Sequence, residues 1–378
     1  MHIKYNKYNL YNFFLKRTFV LKIISIFLFI FISLLLIINE MDFNRDKKLS
    51  KIKIGVIGEH HSQNIGNNLL KYAMFVKLKE FGFEPYIIGY LIPGHNISFL
   101  SRIINIRFIK KSYKEIKRKD YDILMVNSDQ VWRRENLFYL DIGFLKFSHN
   151  WNIKKFIYGA SMGLETWRYT RNENRVLKHL LKECTGVSVR EKGTSELIKS
   201  HLNIKSALVV DPTLLIDKKY YINLIKDYKN EYIPNDNYIF VYEVQKMLSM
   251  NLFIKQSIQK LKYKLYKYTI YAKNYLKNFI YGIYNCKAVI TNSFHGILFS
   301  IIFKKPFVAF NPKGRGNERF NTLKDIYNLE KRIVSKENKP NISWLIKPLD
   351  IDKKILEDLR IKSIDYLRKN LEIKKKNK

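Results

Sequence analysis

Short, unbroken apolar runs recur along the chain from residue 53 onward, each closed by polar residues and followed by a stretch long enough for a helix. Strands buried on both faces demand such runs, whereas a half-exposed strand would alternate apolar and polar positions. The first is residues 53–59 (KIGVIGE), and the pattern returns in 122–127 (DILMVN), 155–161 (KFIYGAS), 186–189 (GVSV) and 207–210 (ALVV). Leu69, Leu70, Ala73, Met74, Phe75, Leu78 and Phe81 fall on one helical stripe, which Gly82 is placed to end. Residues 86–90 read as the next strand. Alternation of this kind predicts an α/β fold with a parallel sheet.

A second series starts at 238–244 (YIFVYEV) and continues through a basic helix, a strand near 266–271, 287–291 (KAVIT) and 306–310 (PFVAF). A chain of 378 residues is long enough for two cores. The expected organisation is therefore two Rossmann-like lobes, 53–215 and 216–345, closed by a helix and basic tail over 346–378.

Ahead of the lobes, a basic segment (1–18) leads into 19–38 (FVLKIISIFLFIFISLLLII), an apolar run of the length a membrane-spanning helix needs. Lys22 lies near one end, where its stem can reach the interface. The run closes on Ile37, Ile38, Asn39 and Glu40 instead of the small residues of a cleavage site, so the expectation is an uncleaved, single-pass signal anchor followed by a linker over 39–52. Lysines and arginines flank the run on both sides and leave its orientation open.

A formal charge of +36 would attract an anionic membrane or an anionic substrate. The lysines are spread along the whole chain and no nucleic-acid module is recognisable, so nucleic acid is not an expected partner. The two cysteines, Cys184 and Cys286, have no metal-ligand spacing and read as core residues. Neither a metal nor a cofactor is expected.

In open parallel sheets, ligands bind beyond the carboxyl ends of the strands. The polar residues of interest fall at such ends. Asn64, Gly66 and Asn67 follow the first strand, where a glycine would let backbone approach a ligand and a helix amino end would offer N–H groups to an anion. Ser128, Asp129 and Gln130 follow DILMVN; Asp129 suits a sugar hydroxyl and equally a helix cap. Arg190 follows GVSV and could grip a carboxylate or phosphate, or simply pair with a neighbouring helix. Asp211-Pro212-Thr213 reads as a structural turn. His295, in TNSFHG between the run KAVIT and an apolar helix, sits where a substrate would sit and carries a group able to act as general acid or base.

Taken in order, these motifs resemble the polysaccharide pyruvyl transferase family over nearly all of residues 53–335. The resemblance rests on the N-x-G loop and helix at 64–81, SDQVW at 128–132, YGAS at 158–161, SVREKG at 188–193, DPTLL at 211–215, and ITNSFHG with FSIIFKKPF across 290–307. It implies a GT-B-like architecture and transfer of a pyruvyl group from phosphoenolpyruvate to a sugar of a surface glycan or its lipid-linked precursor. It also implies His295 as general acid and Arg190 as the group stabilising the donor's anionic parts. This chain departs from the family pattern twice: Ser293 stands where an R-x-H sequence has arginine, and Asn67 stands where an N-x-G-D sequence has an acid. Lys304, Lys305, Arg315 and Arg319 are the candidates to replace the missing cation. The competing expectations are a GT-B glycosyltransferase using a nucleotide sugar and a non-catalytic, membrane-bound glycan-binding protein.

Overall fold

The computed structural model describes residues 27–34, 52–58, 64–90, 99–135, 139–312, 317–335, 338–349, 351 and 353–372. The chain divides into two compact units, Met1–Ile52 and Lys53–Lys378. In the first, residues 27–34 form a helix, α1, with apolar side chains such as Phe27, Phe29 and Phe31 exposed. The rest of the apolar run at 19–38 lies outside the described residues. Among the described residues no helix is long and apolar enough to cross a membrane.

The second unit holds two parallel sheets. The first contains β1 (Lys53–Ile57), β2 (Glu84–Tyr90), β3 (Ile106–Ile109), β4 (Ile123–Val126), β5 (Lys154–Ala160), β6 (Gly186–Val189) and β7 (Ala207–Leu208), in the order β3-β2-β1-β4-β5-β6-β7. Its helices are α2 (Ile65–Glu80), α3 (Tyr139–Phe144), α4 (Arg171–Lys182) and α5 (Lys192–Leu202). Gly82 adopts a φ of +87° just past α2, a conformation open to glycine at no steric cost, and so ends the helix where the stripe predicts.

After α6 (Lys218–Asn223) the second sheet is built from β8 (Tyr238–Tyr242), β9 (Lys264–Lys267), β10 (Ala288–Thr291), β11 (Phe307–Phe310) and β12 (Ile333–Val334), ordered β12-β11-β10-β8-β9. Its helices are α7 (Leu248–Leu261), α8 (Tyr275–Asn285), α9 (Phe294–Ile302) and α10 (Asn317–Tyr327). Strand order reverses beside β1 and β4 in one sheet and beside β8 and β10 in the other. Such reversals open a crevice beyond the strand ends. The apolar runs are fully buried, as in Ile57, Leu124, Val126 and Ile157 of the first core and Ile239, Val241, Ile290 and Val308 of the second.

The closing helix, α11 (Lys353–Leu371), returns to the first lobe. Ser363 Oγ accepts from Val210 N at 2.8 Å, and Tyr366 donates its hydroxyl to the Ile157 carbonyl at 2.7 Å. Asn370 packs so closely over β6 that a Cβ on Gly186 would meet it at 2.5 Å. Strands β3 and β12 escape the apolar-run pattern. β3 carries Arg107, paired with Asp120 at 2.7 Å on the sheet edge, and β12 is two residues long. β9 begins earlier than the expected 266–271 because it is the other sheet's edge, with Lys264 and Lys267 exposed.

Candidate active site

Both strand-order reversals open onto one cleft of about 530 Å³, lined from the first lobe by Asn64, Asp129, Gln130 and Arg133. From the second lobe come Tyr242, Asn292, Ser293, Phe294, His295 and Arg319. Asn64 caps α2 by accepting from Asn67 N at 3.2 Å, and Ser293 caps α9 by accepting from Gly296 N at 3.4 Å. Gly66 lies in the first turn of α2 and His295 in that of α9. A Cβ on Gly66 would fall 2.0 Å from His295 Nδ1. The close approach expected of Gly66 is thus to a histidine of the opposite lobe, and two helix amino ends converge there.

His295 is buried, and its Nε2 has no hydrogen-bond partner among the described residues. The nearest carboxylate oxygen, Oδ2 of Asp211, is 3.8 Å away. Burial pushes the imidazole down to about 4, with the Asp211 and Asp129 carboxylates opposing and the Arg190 and Arg319 guanidiniums assisting. Buried in this way, the ring is neutral at neutral pH. The general-acid role expected of it requires a change of environment that first brings a proton.

Arg190 is not in the cleft wall. Its guanidinium is buried and donates to Asp211 Oδ2 at 2.7 Å, to Asp129 Oδ1 at 3.2 Å and to Glu191 Oε1 at 3.2 Å. The direct grip on an anion expected of Arg190 is replaced by a charge hub behind the cleft, with the arginine acting through the carboxylates it fixes. Asp129 is the member that reaches the cleft. Burial alone would raise its carboxyl, but the Arg190 guanidinium, with His295, Arg319 and the Gln130 amide, holds it below the usual carboxylate range. Its backbone φ is +141°, an uncommon conformation for a non-glycine residue that costs about 1–3 kcal/mol. The conformation is held by a bridge to Ala160 and by Ser161 N donating to the Asp129 carbonyl at 3.0 Å. Asn67 donates Nδ2 to Asp129 Oδ2 at 3.3 Å, so the asparagine found in place of an acid supports a neighbouring carboxylate.

The other expected site residues divide. Gln130 lines the cleft and accepts from Arg133 at 3.1 Å, and Arg319 stacks over Phe294 at 5.4 Å. Arg190 also lies against that ring, at 5.0 Å. Ser128 is committed elsewhere, donating to the Gly159 carbonyl at 2.6 Å. Lys305 is also removed from the cleft: it precedes β11, at the amino edge of the sheet, and donates to the Cys286 carbonyl at 2.9 Å. Arg315 lies outside the described residues. Both cysteines are free thiols, Cys286 buried and Cys184 partly so.

Three contributors were not legible as such. Asp211, read as a turn residue, does cap the turn Pro212–Leu214 by accepting from Thr213 N at 3.0 Å, but its second oxygen serves Arg190 and faces His295. Asn292 holds the loop after β8, accepting from Val244 N at 2.7 Å and donating to the Gln245 carbonyl. Arg133 supplies a cation to the cleft directly after the SDQVW motif; a basic residue beside a strand-end polar cluster was the available signal.

The profile of the polysaccharide pyruvyl transferase family matches residues 64–314. No curated protein matches the chain. Among solved structures, the UDP co-structure of MnaA from S. aureus aligns with a TM-score of 0.52 at 13% identity, covering 86% of this chain and 99% of that one. UDP-GlcNAc 2-epimerase from Methanocaldococcus jannaschii aligns at 0.51 and 11% identity, covering 85% of this chain and all of the other at 100%. These likenesses are of fold: α/β, with parallel sheets in a GT-B-like arrangement. The profile match begins at Asn64 itself and runs past β11, taking in both walls of the cleft up to α10; the chain belongs to the polysaccharide pyruvyl transferase family and is a transferase.

Proposed function

We propose that this protein transfers the pyruvyl group of phosphoenolpyruvate to two hydroxyls of one sugar, in a surface glycan or its lipid-linked precursor, forming a cyclic ketal and releasing phosphate. The observation that carries the reading is His295 Nε2, buried and without a hydrogen-bond partner among the described residues at the convergence of two helix amino ends, in a cleft that also holds Arg133 and Arg319. Guanidiniums and helix N–H groups suit the donor's phosphate and carboxylate. A neutral imidazole beside a newly bound anion gains basicity, so donor binding is the change of environment that charges it.

The proton balance then closes on one group. The charged His295 protonates the donor's methylene carbon, leaving an oxocarbenium-like centre that the first sugar hydroxyl attacks. His295 takes that hydroxyl's proton and passes it to the departing phosphate. The second hydroxyl closes the ketal and returns its proton to the ring. Two hydroxyl protons leave; one is replaced in the methyl group and one goes out on phosphate. Asp129 would orient the acceptor hydroxyls, with its carboxylate fixed by Arg190 and Asn67.

We also propose that residues 19–38 anchor the enzyme at the membrane that carries its acceptor. The exposed apolar side chains of α1 support this.

The test is phosphate release from phosphoenolpyruvate by the full chain in detergent, against a panel of glycan acceptors, with His295→Ala as control. The expected result is acceptor-dependent release, lost in the variant, with the acceptor gaining the mass of a pyruvyl ketal. Absence of release across the panel, together with transfer from a nucleotide sugar, would replace this reading with a glycosyltransferase.

A further inference from the structure

A second cluster of chemically capable side chains lies on the first lobe, outside the cleft. His179 and Glu183 are four residues apart at the carboxyl end of α4, so they share a helix face. His149 comes to the same place from the loop ahead of β5. That loop is shaped by a short turn, Lys146–Ser148, between two residues of positive φ, Leu145 at +54° and Asn150 at +62°. His149 Nδ1 hydrogen-bonds Glu183 Oε1, and His179 Nε2 lies 3.8 Å from the same oxygen. One ligand atom from each of the three residues falls within 4.8 Å of the others. The two imidazole rings stand 5.1 Å apart at 71°.

The carboxylate between them is anchored from behind. Lys155, whose side chain is buried, bonds the other oxygen, Oε2, and also donates to the Ser148 carbonyl at 3.0 Å. A ligating carboxylate is usually oriented by such an outer partner. Glu183 Oε1 is thereby aimed at two exposed imidazoles and at solvent.

We propose that His149, His179 and Glu183 form a binding site for a borderline divalent transition-metal ion, with zinc as the best match. Two imidazole nitrogens and one carboxylate oxygen are a zinc donor set, and calcium or magnesium would call for oxygen ligands instead. Ligand atoms around tetrahedral zinc stand roughly 3.4 Å apart, so side-chain rotations of about an ångström convert the present cluster to a coordinating one. The ion takes the place of the His149–Glu183 hydrogen bond, and water completes its coordination. The Lys155 ammonium faces the far oxygen and opposes the ion, which weakens the site. A bound ion would tie the loop ahead of β5 to the end of α4.

The experiment is isothermal titration of the tag-free full chain with zinc, and separately with magnesium, using wild type, His149→Ala and His179→Ala. Phosphate release and circular dichroism of each variant are measured alongside. The proposal expects one zinc per chain, a loss of at least tenfold in affinity in each variant, no magnesium binding, and unchanged fold and activity. Zinc binding that is absent from wild type, or that both variants keep at wild-type affinity, overturns it; the second result would point to the chain's other histidines.

Discussion

Gly66 and His295 belong to different lobes, yet the two residues touch: a Cβ on Gly66 would lie 2.0 Å from His295 Nδ1 and 2.3 Å from its Cε1. No far end of a flexible chain is involved, because the imidazole is packed against Phe294 and buried. Gly66→Ala must therefore displace the ring or part the lobes. Overpacking of this kind costs about 1–3 kcal/mol. The expected outcome is a stability loss of that size in urea denaturation, with at least a tenfold loss of phosphate release. Gly58→Ala is the control, since a Cβ there meets only Lys71 Cε at 3.6 Å. Equal behaviour of the two variants would refute the contact's importance.

The depressed titration of His295 has a stability signature. Burial brings the group from 6.5 to about 4 in the folded chain, so between those pH values the unfolded chain binds more protons. Above pH 6.5 both states hold neutral imidazole and the group contributes nothing to the pH dependence. As pH falls through the window, the folded state loses stability, by about 3 kcal/mol when the shift is complete. Denaturation of wild type and His295→Gln should show that difference opening between pH 6.5 and 4 and constant outside it. Phosphoenolpyruvate should move the imidazole resonances, followed by NMR, toward a higher titration midpoint. A midpoint unaffected by donor would remove His295 as the acid of the reaction.

The parallel-sheet α/β fold could be read from the sequence because buried strands leave a mark that needs no partner: the stretches IGVI, ILMV and AVI are apolar without interruption and lie in β1, β4 and β10. Edge strands leave no such mark, which is why Arg107 hid β3. His295 and Asp129 were legible as cleft residues because ligands of open parallel sheets bind beyond the carboxyl ends of the strands. The role of Arg190 was not. Its three carboxylate partners sit 61, 21 and 1 residues away in the chain, and only the folded sheet brings Asp129, Asp211 and Glu191 together around it. Lys305 illustrates the reverse error: its charge suited an anion site, but the residue before a strand and the residue after one lie at opposite edges of a parallel sheet.

That hub predicts how Arg190 variants fail. Removing the guanidinium leaves three buried carboxylates, Asp129, Glu191 and Asp211, without their shared counter-charge. Breaking a buried ion pair from one side costs about 3–5 kcal/mol. Arg190→Ala should lose at least that much stability, and Arg190→Lys should recover only part of it because one ammonium cannot reproduce the planar fork. Urea denaturation monitored by circular dichroism measures both. A variant as stable as wild type but inactive would return Arg190 to direct contact with the donor.

Asn67 offers the complementary experiment, because its amide donates to Asp129 Oδ2 at 3.3 Å across the first-lobe wall. Asn67→Asp exchanges a donor for a second carboxylate at that distance. Two such groups do not both ionise readily, so one keeps a proton and titrates above its unfolded value. A carboxyl raised in the folded state costs stability where the unfolded chain is ionised, and the cost is relieved as pH falls. Loss of a hydrogen bond to a charged group adds about 2 kcal/mol. The variant should thus be less stable than wild type at pH 8, with the gap narrowing toward pH 4 in paired denaturation curves. Its phosphate release should also become more acid-dependent, since the proton shared with Asp129 is needed to keep the pair together. A pH-independent gap would mean that the two side chains do not share a proton, and that the variant loses only the hydrogen bond Asn67 donates to Asp129.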